Sequence, residues 1–185
     1  SFANLSISGS TLKIIALLCM LADHIGAVLL EPSIIAHEAS APMLTAYVIM
    51  RFLIGRAAFP IYCFLLVEGF IHTSDVKKYV VRLLLFAFIS EPAFDLATSR
   101  NFFSLGHQNV FFTLFLGIIA LNGYQTVEVK LNDQQKNKVC VILYGFILAV
   151  TMLVADLLCV DYGSVGILTI SFLYFFKKNR REQVL

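Results

Sequence analysis

The chain has 185 residues, 59% of them hydrophobic and 14% charged, with a net charge of +2 and a mean hydropathy of +0.83. A soluble domain carries about 25% charged residues, and one of this length buries only part of its surface, so this much apolar side chain calls for lipid as its solvent. The small net charge, with no basic cluster interleaved with aromatics, argues against a nucleic-acid partner.

The first apolar run covers residues 12–30, and Lys13, Asp23 and His24 are its only ionisable side chains. It is long for the apolar core of a signal peptide, carries Asp23 and His24, and lacks an A-x-A-like site followed by a soluble domain, so it reads as a retained helix. Lys13 lies at its edge, where it can snorkel to the head groups. Eleven positions further on, His24 is about 16 Å deeper and within about 20° of the same face. An ionisable group at that depth is expensive and points to function. A neutral imidazole can take a proton from an amine or hydroxyl near neutral pH, as the base of an acyl transfer must. The plainer reading is a histidine hydrogen-bonded between helices. Asp23 points about 100° away from His24 and suits an arginine on another helix, Arg51 or Arg56.

Residues 33–50 are moderately apolar and read as a short interfacial or re-entrant helix, with His37 in an exposed loop. The second span, 52–71, opens beside Arg51, a natural interfacial anchor. Arg56 lies deeper among Gly55, Ala57 and Ala58, small residues that permit close helix approach, and is expected to pair with Asp23 or Glu91. Glu68 and His72, one turn apart at the far end of this span, form at most a weak metal or proton site. The third span, 80–98, holds Glu91 directly before Pro92, a device common where a helix lines a cavity. Asp95 follows one turn later; the two carboxylates suit orienting His24, binding a cationic acceptor, or pairing with Arg56. His107, Gln108 and Asn109 open the fourth span, 109–125, as a cap or as part of a polar site. The fifth span is 138–159. The sixth, 162–176, begins Tyr162-Gly163-Ser164-Val165-Gly166, a small-residue contact face. Cys19, Cys63, Cys140 and Cys159 have no metal or redox spacing and read as small apolar side chains.

The expected fold is therefore all-α: a polytopic transmembrane bundle of about six spans plus one interfacial helix, forming a single domain over 1–185. One set of connections carries Lys13, Lys77, Lys78, Lys130, Lys136, Lys138, Lys177, Lys178, Arg180 and Arg181, and the other only Arg51, Arg56 and Arg100. The positive-inside rule then places both termini in the cytoplasm. Lys13, Lys77, Lys78 and Arg82 gather at the inner ends and suit a polyanion. Arg51, Arg56, Glu91, Asp95, His107, Asn109, Asp156 and Asp161 gather towards the outer ends.

The blocks LKIIALLCMLADHIGAVL, RFLIGRAAFPIYCFLLVEGF, GHQNVFFTLFLGI and DYGSVGILTI resemble the TraX family over residues 12–176, with DHIG and GRAAFP the more specific. The plasmid member of that family acetylates the N-terminus of F-type pilin. The Lys13-x10-His24 spacing is also similar to the Arg/Lys-x10-His pattern of large membrane acyltransferases, in which the histidine is the base and acetyl-CoA the usual donor. The resemblance implies a multi-pass enzyme of the bacterial inner membrane that uses acetyl-CoA and no metal. Its acceptor would be an amine or hydroxyl, such as a pilin or other cell-envelope group. Lys13, Lys78 and Arg82 would hold the donor phosphates. The resemblance implicates His24 as catalytic with Asp23 and Arg56 as motif members; position in the spans adds Glu91 to the catalytic set and puts Asp95, His107 and Asn109 on the acceptor side. A late FYPxHL-like segment of the family has no match here, so further helices are expected beyond this C-terminus. The rival from another class is a proton-coupled transporter or channel component using Asp23, His24, Glu91 and Asp95, although no inverted repeat is visible.

Overall fold

A computed structural model describes residues 8–99, 104, 106–131 and 136–182. The fold is all-α; among the described residues the only extended pairing is an isolated bridge between Gln108 and Val160. The chain forms two compact units that divide between Leu65 and Leu66.

The first unit contains one long, interrupted helix and the greater part of a second, which runs on past Leu65. Ser8 caps α1 (Gly9–Ile25), its hydroxyl accepting from the Thr11 N–H at 3.1 Å. The helix runs on through a π-helical segment, Gly26–Leu30, into α2 (Glu31–Ile35), giving a span candidate of 27 residues, Gly9–Ile35. Ala36 ends it, followed by His37 at φ 59°. The second begins as α3 (Ala41–Val48) with Pro42 in its first turn, where a missing N–H costs nothing. It continues through a π segment, Ile49–Ile54, and a 3-10 turn, Gly55–Ala57, into α4 (Ala58–His72). Residues 33–50 are thus not one separate interfacial helix. Their second half is the start of a continuous helical run, Ala41–His72, of 32 residues.

The second unit packs α5 (Val76–Ser99), α6 (Val110–Lys130), α7 (Lys136–Leu157) and α8 (Gly163–Glu182). Asp75 opens α5 by accepting the Lys78 N–H at 3.1 Å, and that bond holds its carboxyl below the usual value. The α5 helix continues through Pro92. Central to this unit is α6, which touches α5, α7 and α8. Its buried residues, among them Thr113, Leu114, Gly117, Ile118, Leu121 and Tyr124, recur at three- and four-residue spacing and form one broad buried face. Gly117 lets α8 approach so closely that a Cβ there would collide with Ile170. Leu116, Ala155, Val160 and Ile167 form a buried apolar cluster in this unit.

Among the described residues, four helical runs are long and apolar enough to cross a membrane: Gly9–Ile35, Ala41–His72, Val110–Lys130 and Lys138–Leu157. Of the two remaining expected spans, Gly163–Phe176 is a shorter apolar helix. The other lies in α5, whose 24 residues are long enough but carry Arg82, Glu91 and Asp95 within the apolar stretch.

Candidate functional sites

In the first unit, α1 carries Lys13 and His24 within one uninterrupted stretch of helix. Lys13 is exposed and His24 half-buried. The imidazole Nδ1 lies 2.8 Å from the Met20 carbonyl oxygen one turn back. That contact suits an N–H at Nδ1 and leaves Nε2 as the nitrogen able to accept a proton.

Asp23 binds Arg51: Nη1 donates to Oδ2 at 2.7 Å. The same guanidinium reaches Glu31, with Nη2 3.5 Å from Oε2. Asp23 and Glu31 are eight residues apart, which on a regular α-helix would leave them about 80° apart around the axis. The π segment absorbs one extra residue, the Glu31 N–H bonding back five residues to the Gly26 carbonyl. That residue turns the two carboxylates to within about 20° of one direction, facing one arginine. The second helix has a matching irregularity, with the Gly55 N–H bonding to the Met50 carbonyl. Two glycines make the room. A Cβ on Gly26 would sit 2.8 Å from Arg51 Cγ, and one on Gly55 would sit 2.7 Å from Asp23 Cβ.

Arg56 departs from expectation. It is exposed, its guanidinium lies 5.7 Å from the centroid of the Phe52 ring, and no ion pair to it occurs among the described residues. The small residues around it serve a different arginine: Gly55 packs against Asp23, the partner of Arg51.

The second unit holds its polar residues differently. Glu91 is 6% exposed and Asp95 1%. Glu91 Oε2 accepts both the backbone N–H of Asn109, at 3.2 Å, and its side-chain amide, which also donates to the Ala87 carbonyl at 2.8 Å. Asn109 Oδ1 in turn accepts the Phe111 N–H at 2.9 Å and caps α6. Asp95 Oδ2 accepts the Ser104 N–H at 2.7 Å. Two carboxylates one turn apart on α5 therefore anchor the α5–α6 connection at Ser104 and at Asn109. Glu91 Oε1 is buried without a hydrogen-bond partner among the described residues. His107 is exposed, tilted against Phe94, with Nε2 3.7 Å from Asp161 Oδ1.

This polar end is completed by Thr113, to which the sequence assigns no role, and by contacts of Gln108, Asp156, Asp161 and Gly163 that no local spacing shows. Gln108 and the 159–161 segment exchange backbone bonds of 3.0 and 2.9 Å, and the Thr113 hydroxyl donates to the Asp161 carbonyl. Asp156 Oδ1 accepts the Ser164 N–H at 2.7 Å and caps α8. Gly163, at φ +42°, opens that cap: a Cβ there would meet the same oxygen at 2.6 Å. Arg51 was legible as an interfacial anchor and as one of two arginines suited to Asp23, and the structure pairs it with Asp23. The available signal was a glycine three residues after Asp23 and another four after Arg51.

Lys78 and Arg82 lie one turn apart and exposed on α5, Lys78 Nζ being 3.3 Å from Asp75 Oδ2. At the other end of α4, His72 Nδ1 is 3.4 Å from Glu68 Oε2, and no group of three or more potential metal ligands occurs among the described residues.

A family described as TraX protein matches residues 8–185. Among curated proteins, one described as "Probable fimbrial assembly protein FimC, serogroup H1", from Dichelobacter nodosus, is 37% identical over 125 residues. The match takes in 64% of this chain and 47% of that protein, so the chain spans about half the length of its relative. No solved structure matches.

Proposed function

Because the chain belongs to the TraX family, we propose that it is a membrane-embedded acyltransferase moving an acetyl group from acetyl-CoA to an amine or hydroxyl acceptor. The observation that carries this reading is the placement of Lys13 and His24 in one stretch of α1, at two depths of one face. Lys13, exposed at the N-terminal end, binds a phosphate of the donor from the cytoplasm. The pantetheine arm reaches the roughly 16 Å to His24. The acceptor attacks the thioester carbonyl, a C–N or C–O bond forms and the C–S bond breaks. His24 Nε2 takes the acceptor proton and returns it to the departing CoA thiolate.

Asp23, adjacent to the base, is held by Arg51 rather than Arg56. In the second unit, Lys78 and Arg82 remain available to a polyanion on their face of α5. The polar end leaves His107 and Glu91 Oε1 available to a ligand, while Asp95 and Asn109 hold the loop between them. A fimbrial relative supports a pilin-like protein as the acceptor, and the distribution of basic residues supports a chain in the bacterial inner membrane with both termini cytoplasmic.

The test is acetyl transfer from labelled acetyl-CoA by protein in proteoliposomes, assayed against a pilin N-terminal peptide and a hydroxyl acceptor. Wild type is expected to transfer, and His24→Ala to lose at least about 100-fold, the lower end for a general base. Full transfer by His24→Ala rejects the mechanism.

A further inference from the structure

Four features of the first unit converge on one side chain. Arg51 reaches two carboxylates at once, Asp23 at 2.7 Å and Glu31 at 3.5 Å. Both carboxylates come from the same helical run, and the π segment between them is what turns them to one side. Gly26 and Gly55 leave out two Cβ atoms that would block the arginine stem and the Asp23 side chain. The second π segment contains Arg51 itself, so both helices are irregular at the same contact. π turns recur at functional sites because they re-aim side chains that a regular helix would direct elsewhere. An ordinary packing contact or a lipid-interface anchor needs none of this.

The consequence falls on His24, the residue after Asp23. A helix pinned through one residue by a bond to a neighbouring element cannot rotate or slide at the next without breaking that bond. We propose that Arg51 is a positioning residue. By holding Asp23 and Glu31 together it fixes the rotation and depth of α1, and so aims the His24 imidazole. This rests on His24 being the base, as in the proposed function. It assigns to Arg51 the partnership with Asp23 that the sequence left open between Arg51 and Arg56, and gives the π segment after His24 a purpose. Arg51→Lys separates charge from geometry, because an ammonium is a point charge without the fork that spans two carboxylates.

The experiment measures acetyl-transfer kinetics for wild type, Arg51→Gln, Arg51→Lys and Glu31→Gln, with size-exclusion elution and thermal midpoint as checks on folding. In the same samples, mass spectrometry follows the rate at which diethyl pyrocarbonate modifies His24. For Arg51→Gln the expected result is a fall in kcat of about 100-fold, with KM for acetyl-CoA changed less than about twofold, as misplacement of a catalytic group produces. Arg51→Lys should recover part of that kcat. Where Arg51→Gln does not fold, Glu31→Gln removes only the 3.5 Å arm of the clamp, and kcat is expected to fall about threefold. Retention of wild-type kcat by the folded Arg51→Gln variant, or by Glu31→Gln where the former does not fold, overturns the proposal. If wild type itself transfers nothing, the acyltransferase reading fails and positioning is judged by His24 modification alone. A rate altered by about threefold or more in the variant supports the clamp, and any smaller change overturns it.

Discussion

The two units of this protein solve the same problem, a polar group inside an apolar bundle, by different chemistry. In the second unit the carboxylates of Glu91, Asp95 and Asp156 bind backbone N–H groups of Asn109, Ser104 and Ser164. These donors belong to a helix cap and to connections, so each carboxylate supplies partners that the chain termini of helices leave wanting. In the first unit Asp23 and Glu31 bind a side chain, Arg51, across two helices bent by π segments. The first arrangement is a frame that any polar-ended bundle needs. The second departs from regular helix in both partners, a cost that only a placed side chain justifies. The difference suggests where loss of a residue shows first: as lost stability in the second unit, as lost chemistry in the first.

The sharpest way to break the comparison is Asn109→Leu, which takes the side-chain amide from Glu91 and the cap from α6, leaving only the backbone N–H of residue 109 on the carboxylate. A loss of about 2–4 kcal/mol is expected in chemical denaturation. A variant of unchanged stability would show that the frame is not what holds α5 to α6. Next is Gly55→Val, which drives a branched side chain onto Asp23. It is expected to cost about 1–3 kcal/mol through overpacking and to lower transfer further than the stability loss alone explains, read by activity per folded molecule. Gly163→Ala should cost about 1–2 kcal/mol, since its backbone is left-handed and its Cβ would face Asp156. Transfer per folded molecule is expected to stay intact, and its loss would bring the second unit's polar end into the chemistry. The smallest effect belongs to Asp75. Its carboxyl is lowered by the Lys78 N–H, so its contribution to α5 is complete above the ordinary aspartate value of about 3.9 and fades as pH falls through the lowered one. Asp75→Asn should flatten only that acidic part of a stability–pH profile. A change near neutral pH would contradict the assignment.

Much of this was readable from residues alone, for definite reasons. Helical class and most spans follow from apolar runs whose length matches a bilayer, and the Asn109 cap follows from a short polar side chain before an apolar run. The Lys13–His24 relation survives because α1 is regular between them. What failed involves irregular backbone. A regular period carries residues 33–50 as a separate element, whereas π and 3-10 turns join their second half to α4. The same turns decide which arginine meets Asp23. Arg56 has the small neighbours, but Arg51 has the geometry, because each π segment shifts everything beyond it by one residue. The Asp161, Thr113 and Gln108 contacts of the polar end join residues about fifty positions apart, which no local spacing encodes.

The central claim is that one helix carries a donor-binding cation and a catalytic base at two depths. The most direct measurement is equilibrium binding of acetyl-CoA by purified wild type, Lys13→Ala and His24→Ala in detergent. The account predicts saturable binding that Lys13→Ala weakens by about tenfold, the worth of one charge-assisted phosphate contact, and that His24→Ala leaves unchanged. Absence of saturable binding by folded wild type, or binding lost with His24 and indifferent to Lys13, would contradict it.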